Sequence, residues 1–219
     1  MSTIAILGGT GAQGMGLALR LAQAGEKLVI GSRVAERARD AAAKVRAAVP
    51  GAEVDGRENL EAVTLASRVI MTMPVEGLSA FLERAAGDLA GRLVIDAMVP
   101  LTVRRKVAEL TPVDDVPSVS ELVQRAAPEA RVVCAFKNVP SDALQDLTRS
   151  LEGDVLLCGD DDAARAEVAA LVERMPGLRA VDAGPLRLAR YVEGITALLV
   201  SLNIRHKALT SIAIVGLER

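Results

Sequence analysis

A chain of 219 residues that is 51% hydrophobic and 25% charged, with a formal net charge of −2, can bury a sizeable core without disulfide or metal staples. The near-balanced charge excludes a polyanion-binding surface, and one Tyr, two Phe and no Trp leave no stacking platform for single-stranded nucleic acid. Nucleic acid is therefore not an expected partner.

In chain order, Ile4-Ala5-Ile6-Leu7 runs straight into Gly8-Gly9-Thr10-Gly11-Ala12-Gln13-Gly14, which reads as strand, glycine turn and helix mouth. Strands are predicted near 3–8, 27–31, 53–55, 68–73, 92–96, 131–136, 154–158 and 179–182. Between the first two, Leu17, Leu19, Leu21 and Ala22 fall at helical spacing, and Gly25 stands where a C-terminal cap belongs. Further helices are predicted over 35–49, 58–66, 76–88, 118–127 and 161–175. This alternation is the rhythm of βαβ units, and the expected fold is α/β, a Rossmann-type doubly wound parallel sheet.

Residues 101–117, with Arg104-Arg105-Lys106 and Asp114-Asp115, are the one long stretch without a clear structural pattern; long loops beside a sheet's carboxyl edge often carry substrate contacts. After Asp182-Ala183-Gly184-Pro185, the spacing of Leu188, Val192, Ile195, Leu198, Leu199 and Leu202 predicts a long amphipathic helix with Pro185 in its first turn. That helix suits packing, closing a site or pairing with a second subunit. The expected division is a dinucleotide-binding domain over 1–150 and a small C-terminal α/β domain over 151–219.

Only Met1-Ser2-Thr3 precede the first strand, and the apolar run 195–204 is too short to span a bilayer. Cys134 and Cys158 sit in apolar strand patterns without ligand spacing and read as buried free thiols. A cytoplasmic protein with no membrane partner is expected. Asp160-Asp161-Asp162 precedes a helix pattern and reads as a cap rather than a metal site. His206, the only histidine, lies in a basic C-terminal turn that complements the helix dipole.

The glycine turn carries the first functional inference. Gly9-x-Gly11-x-x-Gly14 between a strand and a helix lets backbone N–H groups approach a pyrophosphate at the positive end of the helix. The second strand ends in Gly31-Ser32-Arg33, with Arg37 one helical turn later, where an NAD enzyme would carry Asp or Glu. Guanidinium groups there can meet a ribose 2′-phosphate with paired hydrogen bonds, and Ser32 and Thr10 add neutral donors. The expected cofactor is NADP(H).

Over nearly its whole length the chain resembles the NADPH-dependent reductases of the deazaflavin coenzyme F420. The matching stretches are Ile6-Leu7-Gly8-Gly9-Thr10-Gly11, Val29-Ile30-Gly31-Ser32-Arg33, Cys158-Gly159-Asp160-Asp161-Asp162, Asp182-Ala183-Gly184-Pro185-Leu186 with Arg190 and Glu193, and Leu202-Asn203-Ile204-Arg205-His206-Lys207. The resemblance implies a homodimer and hydride transfer between nicotinamide C4 and deazaflavin C5, with coenzyme F420 as second substrate. It implies that Thr10, Gly11 and Gln13 line the pyrophosphate and that Ser32, Arg33 and Arg37 line the 2′-phosphate. Met73-Pro74 and Val99-Pro100 would flank the nicotinamide.

The acceptor side departs from the family pattern. Val75 stands where an aromatic is common, Lys137 where His is common, and Leu188 where Asn is frequent. Val75, Lys137, Asn138, Val139 and Pro140 are the expected acceptor-lining residues. Direct hydride transfer requires no acid–base residue; Lys137 is the one catalytic candidate, as a charge at the acceptor's pyrimidine-like edge, and a surface charge is its alternative role. No metal is expected. Two other functions fit the same turn: an NADPH-dependent reductase of a flavin, imine or ketone, with Lys137 or Tyr191 as proton donor, and an NADP(H)-binding redox sensor.

Overall fold

Ile4, Ala5, Ile6 and Leu7 are all wholly buried, as a strand covered on both faces of a parallel sheet must be. In the computed structural model, which describes residues 2–217, they form β1 (Ile4–Leu7). The chain continues through α1 (Ala12–Gln23), β2 (Leu28–Ser32), α2 (Ala35–Ala48), β3 (Val54–Glu58), α3 (Asn59–Thr64), β4 (Arg68–Met71), α4 (Leu78–Leu89) and β5 (Leu93–Asp96). There follow β6 (Leu101–Arg104), β7 (Val107–Leu110), α5 (Val119–Ala126), β8 (Arg131–Cys134), α6 (Ser141–Gln145), β9 (Gly153–Gly159), α7 (Asp162–Glu173), β10 (Leu178–Asp182) and α8 (Ala189–His206).

Eight strands make one sheet in the order β10-β9-β8-β5-β4-β1-β2-β3. Its pairings are parallel except β8 with β9. The strand order reverses between β1 and β4, which opens a crevice at their carboxyl ends, the usual ligand position in such sheets. The 150/151 division expected from sequence falls between α6 and β9, beside the antiparallel pairing.

Two cores flank the sheet. On one face Leu17 and Leu21 of α1, Val45 of α2, Leu144 of α6 and Val168 and Leu171 of α7 pack on Ile4, Ile6 and Ile30. On the other, Val63 of α3, Leu82 of α4, Val123 of α5 and Val192 of α8 pack on Ala5, Leu7 and Val69. A fully buried leucine in either layer contributes roughly 1.5–3 kcal/mol. α1 ends as expected: Gly25 takes φ +78° and its N–H reaches Ala22 O at 2.9 Å. A buried Arg20 then ties α1 to α6, donating to the carbonyls of Ala143, Leu144 and Arg149 at 2.8–3.0 Å and of Asp146 at 2.5 Å.

Two expectations need correction, and one element had no sequence signal. The stretch 101–117 is not all loop, because β6 and β7 form an antiparallel hairpin. Its turn is Arg105-Lys106, both left-handed (φ 49° and 69°), without the Asn-Gly signal that usually marks such turns. The hairpin leans on α8 through Ala108 N–H to Ser201 Oγ at 2.9 Å. Pro185 is not in the first turn of α8; it caps a separate 3-10 turn, Leu186–Leu188, that precedes it. The short helix α6 was not anticipated. After α8 the chain returns along β9, with Asp154 N–H on Ile212 O at 2.8 Å and Ile214 N–H on Asp154 Oδ2 at 2.6 Å.

Candidate functional site

At the crevice, the glycine turn is shaped by close backbone contacts. Gly8 has φ +71°, and a Cβ on it would stand 2.7 Å from Met73 Cα, so the end of β4 presses directly on the turn. A Cβ on Gly14 would meet Thr72 Oγ1 at 2.5 Å. Gly11 differs: its nearest neighbour would be Gly8 O at 3.4 Å, so its missing side chain leaves open space over the start of α1. Gly11 is the N-cap of α1, with no side-chain cap and no acidic residue in the first turn. A helix N-terminus left uncapped beneath a cradle that a Cβ would fill fits a pyrophosphate. Beneath the turn, Asn59 is buried and accepts Gly8 N–H at 3.3 Å; no motif in the sequence pointed to it.

At the end of β2, Ser32 is buried and its Oγ accepts Val34 N–H at 3.3 Å, while Arg33 and Arg37 are exposed. The register partner of Ser32 is Glu58. That carboxylate is engaged in capping α3, through Leu60 N–H at 2.9 Å. The corner therefore presents the guanidinium groups of Arg33 and Arg37, with the exposed Glu36 between them in the first turn of α2 and Glu58 turned to its cap; the paired guanidinium groups suit a 2′-phosphate.

Two cavities meet further along the crevice. One, of about 400 Å³, is bounded by Met73, Pro74 and Val75 after β4 and by Val99 and Pro100 after β5. The other, of about 320 Å³, is bounded by Gln13, Val99, Lys137, Asn138, Val139 and Pro140, with Thr196 and Leu199 of α8 and Thr210 behind it. Val99 and Leu101 belong to both. The structure thus brings Lys137, Asn138, Val139 and Pro140 together but places Val75 across Val99, with Met73 and Pro74. Gln13 donates from Nε2 to Phe136 O at 2.9 Å.

Lys137 is not a surface charge. Its ammonium is wholly buried, 2.6 Å from Asp96 Oδ2, 2.9 Å from Glu193 Oε1 and 2.5 Å from Met98 O. Its three N–H donors are thereby spent, so the charge expected at the acceptor's edge serves the protein's interior instead. Asp96 is held further by Ser120 Oγ–H at 2.6 Å and Met98 N–H at 2.9 Å, and Glu193 by Val119 N–H at 3.0 Å. Burial alone would lower the Lys137 pKa, but the carboxylates of Asp96 and Glu193 outweigh it and hold the ammonium above the ordinary lysine value. Burial pushes the Glu193 carboxyl up, against the pull of Lys137. Glu193 was quoted above without a role, and Asp96 was missed.

The remaining residues singled out in the sequence fall as follows. Asp161 caps α7 by accepting Ala164 N–H at 2.9 Å, and Asp160 accepts Leu186 N–H at 2.9 Å. Cys134 and Cys158 are register partners across β8 and β9, both buried free thiols, and burial pushes the Cys134 thiol up. His206 lies in the last turn of α8. Tyr191 is 61% exposed and borders neither cavity. Leu188 packs at the rim of the core.

A family profile described as "NADP oxidoreductase coenzyme F420-dependent" matches residues 3–100. The chain is 41% identical to the F420-dependent NADP reductase of Methanocaldococcus jannaschii, with 98% of this chain and 99% of that one aligned. It is 40% identical to the enzyme of the same name from Methanothermobacter marburgensis, over 93% of each chain. A crystal structure of a proposed F420-dependent NADP reductase from Arthrobacter sp. FB24 has a TM-score of 0.81 at 26% identity, covering 99% of this chain and 100% of that one.

Proposed function

Because the chain belongs to the coenzyme F420-dependent NADP oxidoreductase family, we propose a reading of its crevice in which the two cavities divide the reaction between them. The protein is an oxidoreductase that transfers a hydride between NADP(H) and coenzyme F420. The observation that carries the division is the shared wall: Val99 and Leu101 border both cavities, so ligands in the two would meet there.

Gly9 and Gly11, whose N–H groups bond Gly31 O and Gly8 O, leave room for the pyrophosphate, and Thr10 and the backbone of Gln13 hold it at the start of α1, where uncapped N–H groups and the helix dipole favour an anion. Ser32, Arg33 and Arg37 hold the 2′-phosphate. Met73, Pro74, Val99 and Pro100 flank the nicotinamide, with Val75 on the same side. Asn138, Val139 and Pro140 form one wall of the acceptor cavity and Thr196 and Leu199 the other. When bound, NADPH supplies a hydride from C4 that the deazaflavin accepts at C5.

The residues' work is orientation and exclusion of water. The apolar side chains of Val99, Val139 and Leu199 keep the meeting point dry. Lys137 fixes the distance between the two walls, since it joins the strand ends that carry Val99 and Asn138 to the helix that carries Thr196. No side chain is required to move a proton: Lys137 has no N–H left and Tyr191 stands at the surface. This favours hydride transfer to the deazaflavin, whose reduced ring delocalises the added charge and takes its N1 proton from solvent, over reduction of an imine or ketone, which needs a donor beside the carbonyl or imine.

The second subunit and the compartment belong to the same reading. Tyr191, Ile195, Leu198 and Leu202 recur along α8 at one-turn spacings, and Tyr191 and Leu198 are about 60% exposed (61% and 59%). Val103 and Val107 are exposed on the hairpin, which bonds α8 through Ala108 N–H on Ser201 Oγ. Such a continuous apolar face suits a homodimer, with residues 151–219 as the dimerisation and substrate region. Two buried thiols suit a reducing cytoplasm, and no helix among the described residues is long and apolar enough to cross a membrane. Mixing the protein with NADPH and coenzyme F420 and following the deazaflavin absorbance tests the function; binding of NADPH without any loss of that absorbance would refute it.

A further inference from the structure

Among the described residues, five that are not glycine have a left-handed backbone, and Arg105, Lys106, Asp114 and Lys207 are exposed. The fifth, Phe136, has φ 58° and is wholly buried. A bulky residue holds that conformation only where its surroundings over-determine it, and such points cluster at functional sites. Phe136 begins the turn whose next residues line the acceptor cavity: its conformation sends Lys137 inward to Asp96 and Glu193 while Asn138, Val139 and Pro140 face the cavity wall.

The turn is pinned from several elements. Thr196 Oγ1 of α8 donates to Lys137 O at 3.1 Å, and Asn138 Nδ2 donates to Asp154 O of β9 at 2.6 Å. Those groups are buried. A further pin, Gln13 Nε2 on Phe136 O at 2.9 Å, comes from the first turn of α1. A carbonyl partner demands a donor, which fixes which end of the amide points inward. The other contact to that carbonyl, from Val139 N–H, is long at 3.4 Å, so Gln13 is its principal partner.

We propose that the Gln13 side chain is a positioning residue of the acceptor pocket and not a ligand of the NADP pyrophosphate, to which Gln13 offers only its backbone. It bridges the two half-sites: the helix start that receives the cofactor's anion also sets the turn that forms the acceptor's wall. The inference rests on the reading of the Lys137–Pro140 cavity as the acceptor site. Gln13 is only half-buried, so its replacement leaves the core intact.

Gln13→Met keeps the length and removes the donor. The expected result is a rise of about fivefold or more in the KM for coenzyme F420, with kcat at saturating F420 and the NADPH Kd each within about twofold of wild type, the scale of one lost hydrogen bond. Gln13→Glu sets a carboxylate against the carbonyl. Its F420 KM, taken relative to wild type at the same pH, falls as pH is lowered toward about 5, because a protonated carboxyl regains a donor; the Met variant shows no such fall. A tenfold or so rise in NADPH Kd with F420 KM unchanged, or an F420 KM untouched in both variants while wild type turns over F420, overturns the inference and leaves the function standing. Failure of wild type itself to reduce F420 removes the acceptor reading and the inference together.

Discussion

Lys137 Nζ lies 2.9 Å from Glu193 Oε1, with both side chains essentially inaccessible to solvent (0% and 2% exposed). That contact joins the end of β8 to α8, and the Asp96 contact of the same ammonium brings in β5. Replacing one partner of a buried ionic cluster leaves unpaired charge in the interior. Lys137→Met is therefore expected to cost about 3–5 kcal/mol in denaturant unfolding.

The pH dependence gives a second signature. A carboxyl whose folded pKa is raised contributes stability below its unfolded value, and loses it as pH rises through the folded one. Glu193 is already raised by burial and has no cation in the variant. The deficit of Lys137→Met should thus shrink as pH falls from about 7 toward about 4.5. Lys137 itself is raised, so its contribution in wild type is complete below the ordinary value of 10.5 and fades as pH climbs above it. A pH-independent deficit of less than about 1 kcal/mol would contradict the cluster's role.

Cofactor choice should reside in Arg33 and Arg37. Charge-assisted bonds to a phosphate contribute about 1.5–3 kcal/mol each, so Arg33→Ala is expected to raise the NADPH KM by about 10–100-fold. The NADH KM should hardly change, since that cofactor lacks the 2′-phosphate. Steady-state kinetics with both cofactors decide it, and equal use of the two by wild type would sink the phosphate corner.

The glycine turn offers two substitutions with opposite phenotypes. At Gly11 a Cβ has room, with φ −80° and its nearest contact at 3.4 Å, so Gly11→Ala should keep its melting temperature and lose about tenfold in NADPH affinity. At Gly14 a Cβ would collide with Thr72 Oγ1 and, at 2.6 Å, with Gly9 Cα. Gly14→Ala should cost about 1–3 kcal/mol of stability. Thermal unfolding beside a cofactor titration separates them; equal losses of stability would show that Gly11 serves packing rather than ligand approach.

These positions also show what a sequence can and cannot disclose. The glycine turn, the Ser32-Arg33 corner and the Asp161 cap are local: the residues that give each its meaning lie within a few positions of one another. Lys137 is the opposite case. Its partners Asp96 and Glu193 lie 41 and 56 residues away, and only the β5–β8 pairing and the return of α8 bring them together. The Arg105-Lys106 turn was hidden for a different reason: neither residue favours a left-handed backbone, and the hairpin is held by its packing on α8 rather than by turn chemistry. Gln13 was legible as part of the turn, but its side chain's partner, 123 residues on, was not.

The α8 face should carry the dimer. Leu198 is 59% exposed, and Leu198→Glu is expected to leave the melting transition cooperative while converting dimer to monomer in sedimentation experiments at micromolar protein. A wild type that sediments as a monomer at those concentrations would remove the face from this role.

The most direct test of the account follows the hydride itself. With NADPH deuterated at the transferring C4 position, the protein should reduce coenzyme F420 mole for mole and deliver the deuterium to deazaflavin C5, detected by mass spectrometry and NMR of the product. Deuterium appearing in solvent instead, or tight NADPH binding with no reduction of F420, would contradict direct transfer between ligands meeting at Val99.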